Sequence, residues 1–208
     1  MIHIIISDGK IRLNAEIRIK RDSPVGVIIS HGANNNMDNR LIRSIFEALS
    51  EHYTVMRFNF SYVDQGVEKD RERNKLEIEA CMQYMGCAEY MLIGKSYGAK
   101  LSAEIAFENN KVIKEINLGY PFHKDEELSS ETNEVVGLNK NSGKIFFIIG
   151  SADPLFNFDA FKKLVPSGKL IKIENADHSF NGKDEEETLN NEKEVTKVVK
   201  DIALGKIK

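Results

Sequence analysis

The chain has 208 residues, 41% hydrophobic and 29% charged, and its 29 basic and 32 acidic side chains leave a formal net charge of −3. That length suits one well-buried core in a single domain over residues 1–208, and the composition excludes a disordered chain. Charges of both signs are interspersed, and apolar runs such as Ile145 to Ile149 are far too short to span a bilayer, so neither nucleic acid nor a membrane is expected as a partner.

Met1 to Ile6 reaches Asp8 without a basic leader, so no signal peptide is expected and the cytoplasm is the default location. Ile11, Leu13, Ala15, Ile17 and Ile19 alternate with Arg12, Asn14, Glu16, Arg18 and Lys20, the period of a half-exposed strand. The run Ile2 to Ile6 should pair with it through an Asp8-Gly9 turn, as an antiparallel edge hairpin. After Ser23-Pro24, Val25 to Ile29 is apolar on both faces, as a strand inside a parallel sheet must be, and it ends at Ser30-His31-Gly32-Ala33. Leu41, Ile42, Ile45, Phe46 and Leu49 form one stripe of a helix over about 38–50. Thr54 to Phe58 reads as a strand leading into Asn59-Phe60-Ser61-Tyr62. Ile78, Cys81, Met82 and Met85 give the next helix its buried face. Cys81 and Cys87 lack metal-type spacing and read as core or helix-end residues.

The strand Glu89 to Ile93 delivers Gly94-Lys95-Ser96-Tyr97-Gly98, a G-x-S-x-G turn running into a helix with Leu101, Ile105 and Phe107. A serine held at such a turn is strained, and Gly94, Gly98, Ala99, Ser102, Ala103 and Ala106 supply the slimness that lets strand and helix pass. A phosphate loop would need glycine five places before Gly94, where Glu89 stands. Val112 to Leu118 is strand again and stops at Gly119-Tyr120-Pro121. His123 to Gly143 is polar and irregular, anchored only by Leu128, Val135, Val136 and Leu138, and reads as a surface loop with room for one short helix. Lys144 to Ile149 resumes the sheet and leaves it at Gly150-Ser151-Ala152-Asp153-Pro154. A helix near 157–164 and a strand over Leu170 to Ile173 follow. The last helix carries Val195, Val198, Val199 and Ile202 on one face, with the acidic run Asp184 to Glu187 complementing its N-terminus.

Strands alternating with helices after an antiparallel start predict an α/β fold with a mostly parallel central sheet, whose functional groups gather at the carboxyl ends of the strands. A serine nucleophile needs a base, and the base an orienting acid. His178 is the histidine that follows both Ser96 and a late strand end. Asp153 ends the strand before it, in the chain order Ser, Asp, His. Asp177 abuts His178, but adjacent loop residues point apart. The oxyanion donors in this reading are the amide of Tyr97 and that of Ala33 or Asn34, with His31 orienting the loop that bears them.

His31-Gly32-Ala33, Arg57-Phe58-Asn59-Phe60, Gly94-Lys95-Ser96-Tyr97-Gly98, Leu118-Gly119-Tyr120-Pro121 and Asp177-His178-Ser179-Phe180 together resemble the α/β-hydrolases, in particular the small dienelactone-hydrolase-like branch of KANL/TEX type. The likeness runs from about Val25 to Phe180. Ile93, Ala99, Asn34 and Asn35 stand where that branch usually has glycine. The resemblance implies a three-layer acyl-transfer fold that needs neither cofactor nor metal, but names no substrate. Many relatives insert a helical cap where His123 to Gly143 lies, and this stretch is too short for one. A shallow, open site is therefore expected, lined by His31, Asn34, Tyr97, Tyr120, Phe122, Phe156 and Phe180. The expected activity is cleavage of a carboxylic ester or thioester on Ser96. The alternative is a hydrolase-like binding or scaffold protein using the same open face.

Overall fold

The computed structural model describes residues 2–6, 11–122, 129 and 132–207. The elements in chain order are β1 (Ile2–Ile6), β2 (Ile11–Arg18), β3 (Val25–Ser30), α1 (Arg40–Ser50), β4 (Thr54–Phe58), α2 (Ser61–Asp64), α3 (Arg71–Met85), β5 (Glu89–Lys95), α4 (Tyr97–Glu108), β6 (Val112–Leu118), α5 (Asn133–Lys140), β7 (Ile145–Gly150), α6 (Phe158–Leu164), β8 (Lys169–Ile173) and α7 (Glu185–Ala203). The strands form one sheet in the order β1-β2-β4-β3-β5-β6-β7-β8. β1 pairs antiparallel with β2 and β2 with β4, and every pairing from β4 to β8 is parallel. The edge hairpin is therefore present, while its Asp8-Gly9 turn and residues 123–128, 130 and 131 of the polar segment, Leu128 among them, lie outside the described residues. β2 stops at Arg18 rather than Lys20, because its pairing with β4 ends at Arg18↔Val55 and leaves Ile19 74% exposed.

Alternation along each strand sorts the core into two layers. Val27, Ile29, Val55, Ile93, Ile116 and Ile148 meet the stripe of α1 and the Val195, Val199 and Ile202 face of α7. Ile28, Met56, Leu92 and Leu101 meet α3, while Ala99, Ala103, Ile145 and Phe147 pack with α5 and α6. This is a three-layer α/β arrangement. Among the described residues the polar segment holds one short helix, α5, capped by Thr132. α2 has four residues, too few for a periodic signal. Asp184 caps α7, with Glu185, Glu186 and Glu187 in the first turn. Among the described residues no helix is long and apolar enough to cross a membrane.

One pair on β6 breaks the apolar pattern. Glu115 and Asn117 are both fully buried, and they face away from the layer that holds Ile116 and Leu118. The Asn117 amide donates to Glu115, yet among the described residues Glu115 Oε1 and Asn117 Oδ1 have no partner. Burial pushes the Glu115 carboxyl well above its usual range. A carboxyl so raised contributes stability below its unfolded value, which is lost as pH rises through the folded value. Glu115→Gln keeps the shape and removes the charge. It should be more stable than the parent by about 1–3 kcal/mol in urea denaturation at pH 8, with the difference closing near pH 4. A variant less stable at pH 8 would contradict this account.

Candidate active site

The turn at Ser96 follows from a close approach. A Cβ on Gly94 would lie 2.4 Å from Ala99 Cα, and one on Gly98 would lie 2.5 Å from Ser30 Oγ and 2.7 Å from the His31 carbonyl oxygen, so only glycine fits either place. Pinched between β5 and α4, Ser96 takes φ 51° and ψ −108°, a backbone state that L-residues with a side chain avoid. Its hydroxyl stands outside the helix at the positive end of the α4 dipole.

Two loops bring partners to it. A Cβ on Gly150, the last residue of β7, would strike the carbonyls of Ala176 and Asp177 at 2.2 and 2.4 Å. The loop after β8 therefore crosses directly over the end of β7. Ala152 N–H donates to the Ala176 carbonyl at 2.9 Å, and Asn175 N–H to Ser151 Oγ at 2.9 Å. Zipped together, the loops set His178 Nδ1 2.8 Å from Asp153 Oδ2 and His178 Nε2 2.9 Å from Ser96 Oγ. The other Asp153 oxygen accepts from Leu155 N–H at 2.8 Å, and the carboxylate is wholly buried. Asp177 is used differently: its carboxylate accepts from the Ser179 and Asn181 amides at 2.7 and 2.8 Å and shapes the turn that carries His178. Ser96, His178 and Asp153 thus form one hydrogen-bonded line.

The loop after β3 closes the other side. A Cβ on Gly32 would lie 3.5 Å from Ser96 Cβ, so Ala33 and Asn34 follow a backbone already beside the serine. Among the described residues the amides of Ala33, Asn34 and Tyr97 donate to no protein acceptor. His31 holds this loop from beneath. Its Nε2 accepts from Phe60 N–H at 3.1 Å, which leaves the proton on Nδ1 to be donated to the Gly32 carbonyl at 2.7 Å. Burial pushes the His31 imidazole down to about 4, so it stays neutral at physiological pH. Asn59 Oδ1 accepts from Met37 N–H at 2.7 Å, and Arg57 donates to the Met37 carbonyl, tying down the far end of the same loop.

The expected lining needs correction. His31, Phe122 and Phe180 are fully buried and cannot touch a substrate. His31 is an internal brace, Phe122 packs on Phe161, and Phe180 joins the layer of α1 and α7. Tyr120 and Phe156, 2% and 5% exposed, are core residues too. Tyr120 donates to Glu134 at 2.7 Å and borders a cleft between α4 and α5; Phe156 borders a cleft of about 640 Å³ next to Asp153. Asn34 is exposed and Tyr97 half-buried. Tyr62 was not singled out from sequence, yet its ring packs edge-on against His31 and Tyr97, and its hydroxyl lies 3.4 Å from the Gly32 carbonyl. Lys95 was also passed over, hidden inside the G-x-S-x-G pattern. Among the described residues no group of three or more His, Cys, Asp or Glu side chains is placed to hold a metal ion.

Residues 23–204 match a family model described as an alpha/beta hydrolase domain. Among solved structures the chain is similar to Est1E from Butyrivibrio proteoclasticus, with a TM-score of 0.74 at 18% identity over 98% of this chain and 97% of that one. It is also similar to an alpha-beta serine hydrolase homologue from Coxiella burnetii, with a TM-score of 0.72 at 20% identity over 95% and 94%. A serine hydrolase without lid from Xanthomonas campestris matches with a TM-score of 0.70 at 18% identity over 95% and 90%. No curated protein matches the sequence.

Strain at residue 96 has a measurable consequence. Glycine adopts φ 51° without penalty, so Ser96→Gly should gain about 1–3 kcal/mol in urea denaturation, whereas Ser96→Ala, which keeps a Cβ, should not. Equal stability of the two variants would mean that the turn is relaxed.

Proposed function

This chain belongs to the alpha/beta-hydrolase family, and from that premise we propose that it is a serine hydrolase cleaving a carboxylic ester or thioester through an acyl-enzyme on Ser96. The observation that carries the reading is the unbroken hydrogen-bond line from Ser96 Oγ through His178 to buried Asp153. A neutral serine hydroxyl is a poor nucleophile and needs a base in contact with it. As Ser96 Oγ bonds to the acyl carbon, its proton passes to His178 Nε2, and the Asp153 carboxylate stabilises the imidazolium through Nδ1–H. The carbonyl oxygen gains the negative charge, facing the amide of Tyr97 and that of Ala33 or Asn34. When the tetrahedral intermediate collapses, the bond to the leaving oxygen or sulfur breaks and His178 returns the proton to it. Water then repeats the sequence and frees Ser96 with a carboxylic acid as product. His31 takes no part in these proton transfers, since both its nitrogens are engaged below the loop.

A fluorophosphonate probe should form one adduct, on Ser96, by mass spectrometry, and Ser96→Ala should abolish it without unfolding the protein. An adduct elsewhere, or none, favours a hydrolase-like binding protein over an enzyme. Asp153→Asn should lose about 10⁴-fold in turnover of an activated ester, because the amide selects the wrong imidazole tautomer, while Asp177→Asn keeps most of the activity. The reverse ranking would move the acid role to Asp177.

Because the reaction needs a base in contact with Ser96, turnover should also fall on acidification. A profile flat from neutral to acid pH would exclude a histidine base.

A further inference from the structure

Lys95, the residue just before Ser96, sends its side chain toward His178. Its ammonium donates to the His178 carbonyl at 2.7 Å. It also sits over the Phe180 ring at 5.7 Å. Gly119 makes the room: with φ at +56°, it lacks a Cβ that would lie 2.9 Å from Lys95 Nζ, 2.9 Å from the His178 carbonyl oxygen and 3.4 Å from His178 Nδ1. Ammonium, carbonyl and imidazole thus border one methyl-sized gap. Among the described residues Lys95 makes no salt bridge, and this carbonyl is the hydrogen-bond partner of its half-buried charge. The charged and titratable groups facing it are Asp153 from the loop after β7, and Asp177 and His178 from the loop after β8. Gly32 of the loop after β3 lies beside the Lys95 aliphatic stem, and Gly119 of the loop after β6 beside its ammonium.

We propose that Lys95 is a positioning residue for His178: it ties down the loop that carries the base and sets a positive charge behind the imidazole and Asp153. The role as stated for catalysis rests on the serine-hydrolase reading. A charge-assisted hydrogen bond is roughly twice as strong as a neutral one, so the ammonium anchors the carbonyl better than an amine would. Burial pushes the Lys95 ammonium down to about 8, so the charged anchor holds at neutral pH and is released in mildly alkaline solution.

The test compares the parent with Lys95→Met and Lys95→Arg, reading the rate of fluorophosphonate labelling of Ser96 from pH 5 to pH 10 and amide hydrogen exchange over residues 174–181. In Lys95→Met labelling should slow about tenfold or more through misplacement of the base. Amides of 174–181 should exchange faster, with the global unfolding midpoint little changed. Lys95→Arg keeps a donor and a permanent charge, so it should restore most of the rate and lack the parent's decline near pH 8. A Lys95→Met protein with parental labelling and parental loop exchange would overturn the proposal. If the parent itself is not labelled, the hydrolase reading falls separately. The loop exchange then decides on Lys95 alone, with faster exchange in Lys95→Met upholding the anchor and unchanged exchange refuting it.

Discussion

Everything at this site depends on how closely α4 lies on the carboxyl end of β5. With 2.4 Å between a would-be Gly94 Cβ and Ala99 Cα, there is no space for any other residue, and the chain reverses within Ser96 itself. The reversal exposes the hydroxyl, aims the Tyr97 amide outward and fixes Ser96 against β6 through Ser96 N–H to the Leu118 carbonyl at 2.9 Å. Alanines at 99, 103 and 106, all buried, continue the same slim face along α4. A strained backbone persists only where its surroundings over-determine it, and the apolar core beneath β5 supplies that rigidity.

Against this fixed point the other loops are held by polar ties running beneath them. The loop after β3 is braced by a neutral His31, by Asn59 and by Arg57, whose guanidinium also pairs with Glu16 and Asp38. A buried polar cluster of Ser61, Asn74 and Glu77 lies behind, and Tyr97 OH joins it by donating to Asn74 at 3.0 Å. Burial raises the Glu77 carboxyl despite the donors around it. These groups face the protein, and their service is to hold backbone amides still.

Much of the fold was legible because hydrophobic period maps directly onto burial. The doubly apolar run Val25 to Ile29 became a central strand, and the stripe Leu41, Ile42, Ile45, Phe46, Leu49 became the buried face of α1. Ser96, Asp153 and His178 could be chosen because chain order and strand ends constrain them, and the structure brings the three into contact. Aromatic lining was not legible. A phenylalanine after a strand end can turn outward or inward, and composition carries no sign of which; Phe122 and Phe180 turned inward. Arg57 and Asn59 were visible as part of a resembling motif, but what they grip, a main-chain loop 20 residues away, leaves no pattern in the sequence. Lys95 escaped for a related reason. Its partner is a carbonyl, and every residue has one.

The zipped loops after β7 and β8 also divide the molecule by local stability. β8 pairs with β7 alone, at the rim of the sheet, and most of its side chains are only half covered. Segments with few buried contacts open at lower free energy than the body of the protein. Because Asn175 and Ala176 are bonded to Ser151 and Ala152, an opening of this rim would carry His178 and Asp153 away together, while β5 and α4 kept Ser96 in place. Thermal or chemical stress would then break the hydrogen-bonded line at Ser96 before the sheet as a whole gave way.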